Sequence, residues 1–142
     1  MTLVTEGVIR EVFFGFDVEQ LMLRIDTGRS AHDDLSRVEE IRVQFLEPQG
    51  YEIRISNLCK PAIEARLYRN REVVADALVQ VAVAQIVEMT VRFADLGLEP
   101  DAPVHLFIEI VSDGQSVDRA PREGTLELLV PGPDYEKIMW QA

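Results

Sequence analysis

Two histidines, one cysteine and a large set of carboxylates are the groups through which this chain could do chemistry. His32 is followed by Asp33-Asp34, a nitrogen-and-oxygen donor set that could begin a divalent-metal site. A solvated loop with an aspartate capping a short helix accounts for the same letters and is the expectation. His105 lies between Val104 and Leu106 and reads as a residue on a sheet face. Cys59 is the sole cysteine, so it has no internal disulfide partner and belongs to no CxxC pair. It reads as a small, buried or half-buried hydrophobe. Glu88 interrupts an apolar strand between Val87 and Met89 and is expected to face outward and pair with an arginine. Glycoside hydrolysis needs two carboxylates about 5–10 Å apart, and 25 Asp and Glu residues nominate no particular pair. The sequence contains no HExxH, GxSxG, P-loop, GxGxxG or EF-hand spacing. The expectation is a chain that is not itself an enzyme and has no metal or cofactor.

Carbohydrate recognition needs a different inventory, because the apolar face of a pyranose stacks on a flat ring while its hydroxyls take polar partners. The candidates are Trp140, Tyr51, Tyr68 and Tyr135. Trp140 also suits a second role, pinning the tail against a sheet. The phenylalanines fall mainly at core-parity positions and read as core.

These groups must be positioned by strands. Val12, Phe14 and Phe16 alternate with Glu11, Phe13 and Gly15; Leu21, Leu23 and Ile25 alternate with Met22, Arg24 and Asp26. The same period of two runs through 41–46, 51–56, 63–68 and 87–93, the pattern of strands with one face on a core and one in water. Asp17-Val18-Glu19-Gln20 is a hairpin-length connection, Glu47-Pro48-Gln49-Gly50 a tight turn, and Ser112-Asp113-Gly114 a strong hairpin signal. Ala94-Asp95-Leu96-Gly97 reads as one helical turn closed by glycine. Val104 to Ser112 is apolar on both faces at Leu106-Phe107-Ile108 and reads as a central strand. Leu126, Leu128 and Val130 form a last strand before Pro131. The alanine-containing stretch 73–88 competes as a helix, but its valines favour strand. Gly28 to Glu40 is the longest polar connection. Roughly nine or ten short strands with frequent turn signals predict an all-β, antiparallel two-sheet β-sandwich in one domain over residues 1–142.

Composition bounds the rest. At 142 residues, 47% hydrophobic and 27% charged, the chain can build one core without disulfides. The net charge of −11 sets up a field that repels phosphate, which argues against nucleic acid and anionic membranes as partners. The first residues have no basic or apolar leader pattern, and no apolar run approaches the ~20 residues that span a bilayer. A reducing, cytoplasmic setting is expected.

Two segments carry a family resemblance. Phe13-Phe14-Gly15-Phe16-Asp17-Val18-Glu19-Gln20-Leu21-Met22-Leu23-Arg24-Ile25-Asp26 resembles a hairpin of the C-terminal β-sandwich domain of family 57 glycoside hydrolases. A similar hairpin opens the wider DOMON-like class, which includes family 9 carbohydrate-binding modules and the C-terminal domain of glucodextranase. Ile86 to Leu98 resembles the strand-and-turn of the same group, and Pro121 to Gly124, Pro131 and Trp140 fit its closing segment. Arg92 stands where that group usually has proline, and the single Trp leaves no counterpart to the two-tryptophan clamp of family 9 modules. The resemblance implies a non-catalytic accessory module of an α-glucan-active enzyme. Its partners would be an α-glucan or the catalytic domain of the same polypeptide. The DOMON-like likeness also raises a haem- or ligand-binding reading, with Met22, Met89 and His105 as conceivable ligands. A reading from another class is a stand-alone interaction or homo-oligomerising sandwich that uses its exposed edges.

Overall fold

The computed structural model describes residues 2–4 and 7–132, with side chains from Gly7 onward. The chain is all-β. Twelve strands form among the described residues, more than the nine or ten expected: β1 Thr2–Val4, β2 Glu11–Phe16, β3 Gln20–Asp26, β4 Glu40–Glu47, β5 Tyr51–Ser56, β6 Glu64–Arg69, β7 Glu72–Val73, β8 Val79–Val83, β9 Val87–Arg92, β10 Pro103–Ser112, β11 Gln115–Ala120 and β12 Leu126–Leu129. They make two antiparallel sheets. One has five strands in the order β1-β2-β3-β9-β8; the other has seven, ordered β11-β10-β4-β5-β6-β7, with β12 also pairing β10. The additional strands are β1 and β7, which are very short.

The alternation becomes a core between the sheets. Val12, Leu21, Leu23, Ile25, Val87, Met89 and Val91 from the five-stranded sheet meet Ile41, Val43, Ile53, Ile55, Leu67, Leu106 and Ile108 from the seven-stranded one. β10 is central as expected, flanked by β4 on one side and by β11 and β12 on the other. The stretch 73–88 is strand and turn rather than helix.

Local chemistry accounts for the turns. The Asp17 carboxylate accepts the backbone N–H groups of Glu19 and Gln20 at 2.8 and 2.9 Å, closing the β2–β3 hairpin with a side chain. Phe93–Leu96 forms a single 3-10 turn that ends where Gly97 takes φ +66°, a left-handed conformation that glycine adopts without Cβ strain. The polar segment 28–40 is more structured than its composition predicts. It holds a four-residue helix, α1 (Ala31–Asp34), and Ala31 and Leu35 are buried in the core. Its N-cap is Ser30, not an aspartate.

Two phenylalanines depart from the core reading. Phe13 and Phe107 lie on the outer faces of their sheets, Phe13 being 37% exposed. Phe107 is half-buried beneath the Arg119 guanidinium, 4.0 Å from its ring centre.

Candidate functional site

The metal and nucleophile candidates are accounted for by structural bonds. The Asp34 carboxylate accepts the Thr27 hydroxyl at 2.6 Å and pairs with Arg29 at 3.0 Å. Those contacts, the Thr27 hydrogen bond first, hold its carboxyl below the usual carboxylate range. His32 stands mostly exposed beside Asp33. Among the described residues no group of three or more His, Cys, Asp or Glu side chains could hold a metal ion. The Cys59 thiol donates to the His32 carbonyl at 2.9 Å, and burial, then the Asp33 charge, push its pKa up, away from the reactive thiolate. Cys59 borders a depression of about 750 Å³ between segments 35–40 and 56–60. His105 is half-buried on a sheet face, with Glu47 and Glu127 as its register neighbours. Glu88 faces outward, directly across from Arg24.

Trp140 and Tyr135 lie outside the described residues. Tyr51 and Tyr68 border one depression of about 460 Å³ near the β4–β5 turn, but their side chains leave opposite faces of the seven-stranded sheet. Tyr51 shares the parity of Ile53 and packs against the core, whereas Tyr68 follows Leu67 and faces outward. Each ring already carries an arginine: Arg69 lies 5.7 Å from the Tyr51 ring centre and Arg54 5.0 Å from that of Tyr68. The two tyrosines therefore do not form one flat platform.

The outer face around Tyr68 holds a charge lattice built from a repeated triplet. Glu40-Ile41-Arg42, Glu52-Ile53-Arg54 and Glu64-Ala65-Arg66 repeat one acid-apolar-base triplet on β4, β5 and β6. Antiparallel register places Arg42, Arg54 and Arg66 directly opposite one another. Like charges so placed are destabilising alone. Here each arginine pairs with the glutamate two residues earlier on its own strand. Glu109 closes the row opposite Arg42 and accepts the Gln44 amide at 3.1 Å. The lattice satisfies itself, and its cations are largely neutralised.

The outer face of the five-stranded sheet is different. Phe13, Gly15, Met22, Arg24, Glu88 and Thr90 surround a shallow depression of about 380 Å³. Register sets Phe13 opposite Arg24 opposite Glu88, and Gly15 opposite Met22 opposite Thr90. The depression exists because Gly15 has no side chain; a Cβ there would meet only the Met22 methyl, at 3.9 Å. Phe13 and Met22 are left 37% and 40% exposed. The Arg24 guanidinium lies 5.4 Å from the Phe13 ring centre. All six residues come from two segments far apart in sequence, 13–24 and 88–90, and tertiary structure makes those segments neighbours through the β3–β9 pairing. Sequence parity already marks Phe13, Gly15 and Met22 as a non-core row; what it lacks is the identity of the strand beside β3.

No family model, curated protein or solved structure matches this chain. Among the described residues no helix is long and apolar enough to cross a membrane.

Proposed function

We propose that this sandwich is a non-catalytic accessory module whose working surface is the outer face of the five-stranded sheet. One observation carries the reading: an apolar depression over Gly15, rimmed by Arg24, Glu88 and Thr90, formed where the two resemblance-bearing segments meet. Large apolar side chains left exposed beside a recess, within a polar rim, mark contact surfaces on otherwise polar proteins. The occupant is the catalytic domain of an α-glucan-active glycoside hydrolase or the glucan itself. Phe13 and Met22 supply apolar contact and the rim supplies hydrogen bonds to either.

Calorimetric titration with maltodextrins, run beside association with the parent enzyme's catalytic part, separates the two occupants. Gly15→Val fills the recess while suiting a strand, and Phe13→Ala removes the ring. Both variants should weaken whichever association occurs by about tenfold or more, equivalent to roughly 1.4 kcal/mol. Heat with maltodextrins assigns the sugar. Association without sugar heat assigns the packing role. Neither signal, or binding untouched by both variants, would reject this surface.

A further inference from the structure

We infer that β8 is a self-pairing edge, through which two copies of this chain join their five-stranded sheets into one continuous ten-stranded sheet. Among the described residues β8 closes one side of its sheet and pairs only with β9. Two hydrogen bonds fix which of its backbone groups are free. Phe93 N–H donates to the Glu19 carbonyl, so the odd residues of β9 bond toward β3 and its even residues toward β8. Ala84 N–H donates to the Ile86 carbonyl, which gives the same phase from the β8 side. The even residues Gln80 and Ala82 therefore bond β9, and Val79, Val81 and Val83 turn their N–H and C=O groups to the open edge.

Native sandwiches guard such edges with charge, proline, bulges or shortness. The other edges here follow that rule. β1 is three residues long and β7 two, β12 has four residues and carries Glu127, and β11 carries Asp118 and Arg119 beside a register shift in its pairing with β10. β8 has none of these devices. Ala77 to Val87 is the longest stretch of the sequence without a charged residue, in a chain of net charge −11. It is the natural place for two copies to meet without opposing charges.

The strand is also nearly symmetric, Val-Gln-Val-Ala-Val. A two-fold axis at Val81 sets Val79 against the second copy's Val83 and Gln80 against its Ala82. The facing valines are the residues whose backbone groups are free, so each pair can exchange two hydrogen bonds. Antiparallel pairing keeps the valines on the core side, where they already pack, and Gln80 and Ala82 on the exposed side. β6 runs within 8 Å of β8, and an open groove of about 480 Å³ lies between them, lined by Ile63, Ala65, Val79 and Val81 together with Glu64, Arg66 and Gln80. The second copy's valines would cover the apolar part of that lining.

Sedimentation velocity of the full chain over a concentration series, at low and high salt, tests this. A concentration-dependent dimer is expected, and its fraction should rise with salt because screening weakens the repulsion between two anionic copies. Val81→Pro removes an N–H that bonds no other strand among the described residues, so the fold is kept while the dimer weakens by about tenfold or more. Gln80→Lys with Ala82→Lys sets lysine against lysine across the axis, at two positions exposed in the monomer, and should give a monomer with unchanged circular dichroism. A wild-type chain that stays monomeric at all concentrations and salts overturns the inference. So does a dimer that survives both variants, which would place the contact elsewhere. Slower amide exchange at Val79, Val81 and Val83 in wild type than in the double-lysine variant would confirm the edge, and equal exchange would refute it.

Discussion

Replacing Gly50 tests how one end of the seven-stranded sheet is closed. Gly50 sits in the β4–β5 turn at φ +86°, and its carbonyl accepts the Asn70 N–H at 2.8 Å. Asn70, in the β6–β7 turn, is itself left-handed at φ +51°. A Cβ on Gly50 would collide with the Asn70 side-chain oxygen. Gly50→Ala therefore carries two costs. The left-handed backbone costs about 1–2 kcal/mol for a residue with a Cβ. Displacing the Asn70 amide costs about 1 kcal/mol, the low end of overpacking because the tip of a flexible side chain can move. The narrower unfolded ensemble of alanine offsets roughly 0.4–1 kcal/mol. The net loss is about 2 kcal/mol. Asn70→Gly keeps the left-handed turn and removes the colliding amide, so in that background Gly50→Ala costs only about 1 kcal/mol. Urea unfolding at 25 °C measures both, and thermal melting should show falls of about 6 °C and about 3 °C at this chain length. Equal costs in the two backgrounds, within about 0.3 kcal/mol, would refute the role given to the Asn70 contact. A neutral Gly50→Ala would refute the backbone argument as well.

Two further predictions concern stability. Ile53 is fully buried between Val43 and Leu67 in the strand register, so Ile53→Ala should cost about 2–5 kcal/mol and Ile53→Val about 0.5–1.5 kcal/mol by urea denaturation; an alanine variant as stable as wild type would remove it from the core. Asp95 accepts the Leu78 N–H at 2.9 Å and grips both ends of the Arg92 guanidinium at 2.8 and 2.9 Å. Burial pushes the Asp95 carboxyl up, but the Arg92 and Leu78 hydrogen bonds outweigh it and hold it below the usual range. Its folded pKa is thus below its unfolded one, so the stabilisation is present above the ordinary carboxylate range and is lost as pH falls through the folded value. Asp95→Asn should lower the urea midpoint at neutral pH, with the gap to wild type closing in acid; a gap that stays constant down to about pH 2 would contradict the clamp.

The Asp95 contacts also give Arg92 a role at the position where the resembling group usually has proline. The guanidinium reaches the Asp76 carbonyl as well, tying the 3-10 turn after β9 to the connection that leads into β8. A proline could make none of these bonds.

Much of this architecture was legible in the residues themselves. A period of two marks β2 to β6 and β9 because each strand has one face in the core, and β10 is marked by its apolar run. Asp17, Gly50, Gly97 and the Asp113-Gly114 pair mark turns because each supplies a side-chain bond or a left-handed backbone locally. β11 was legible only through its Asp113-Gly114 hairpin turn: Gln-Ser-Val-Asp-Arg-Ala has no alternating apolar row, and only Ala120 is buried. α1 was legible only as a short capped helix beside His32, and its N-cap is Ser30 rather than an aspartate.

Only the tertiary structure decided which strands are neighbours. β3 pairs with β9 and β4 with β10 across long stretches of chain, and local alternation carries no information about such partners. Those pairings turn an off-parity Phe13, a side-chain-free Gly15 and a distant Glu88 into one recess. They set three arginines in a single row. They also leave a charge-free strand with its outer backbone groups open. The sequence by itself determined the all-β character and the side of each strand that meets the core, because both follow from a period of two. The recess, the arginine row and the open edge depended on long-range pairing, because each is made by residues that no local pattern connects.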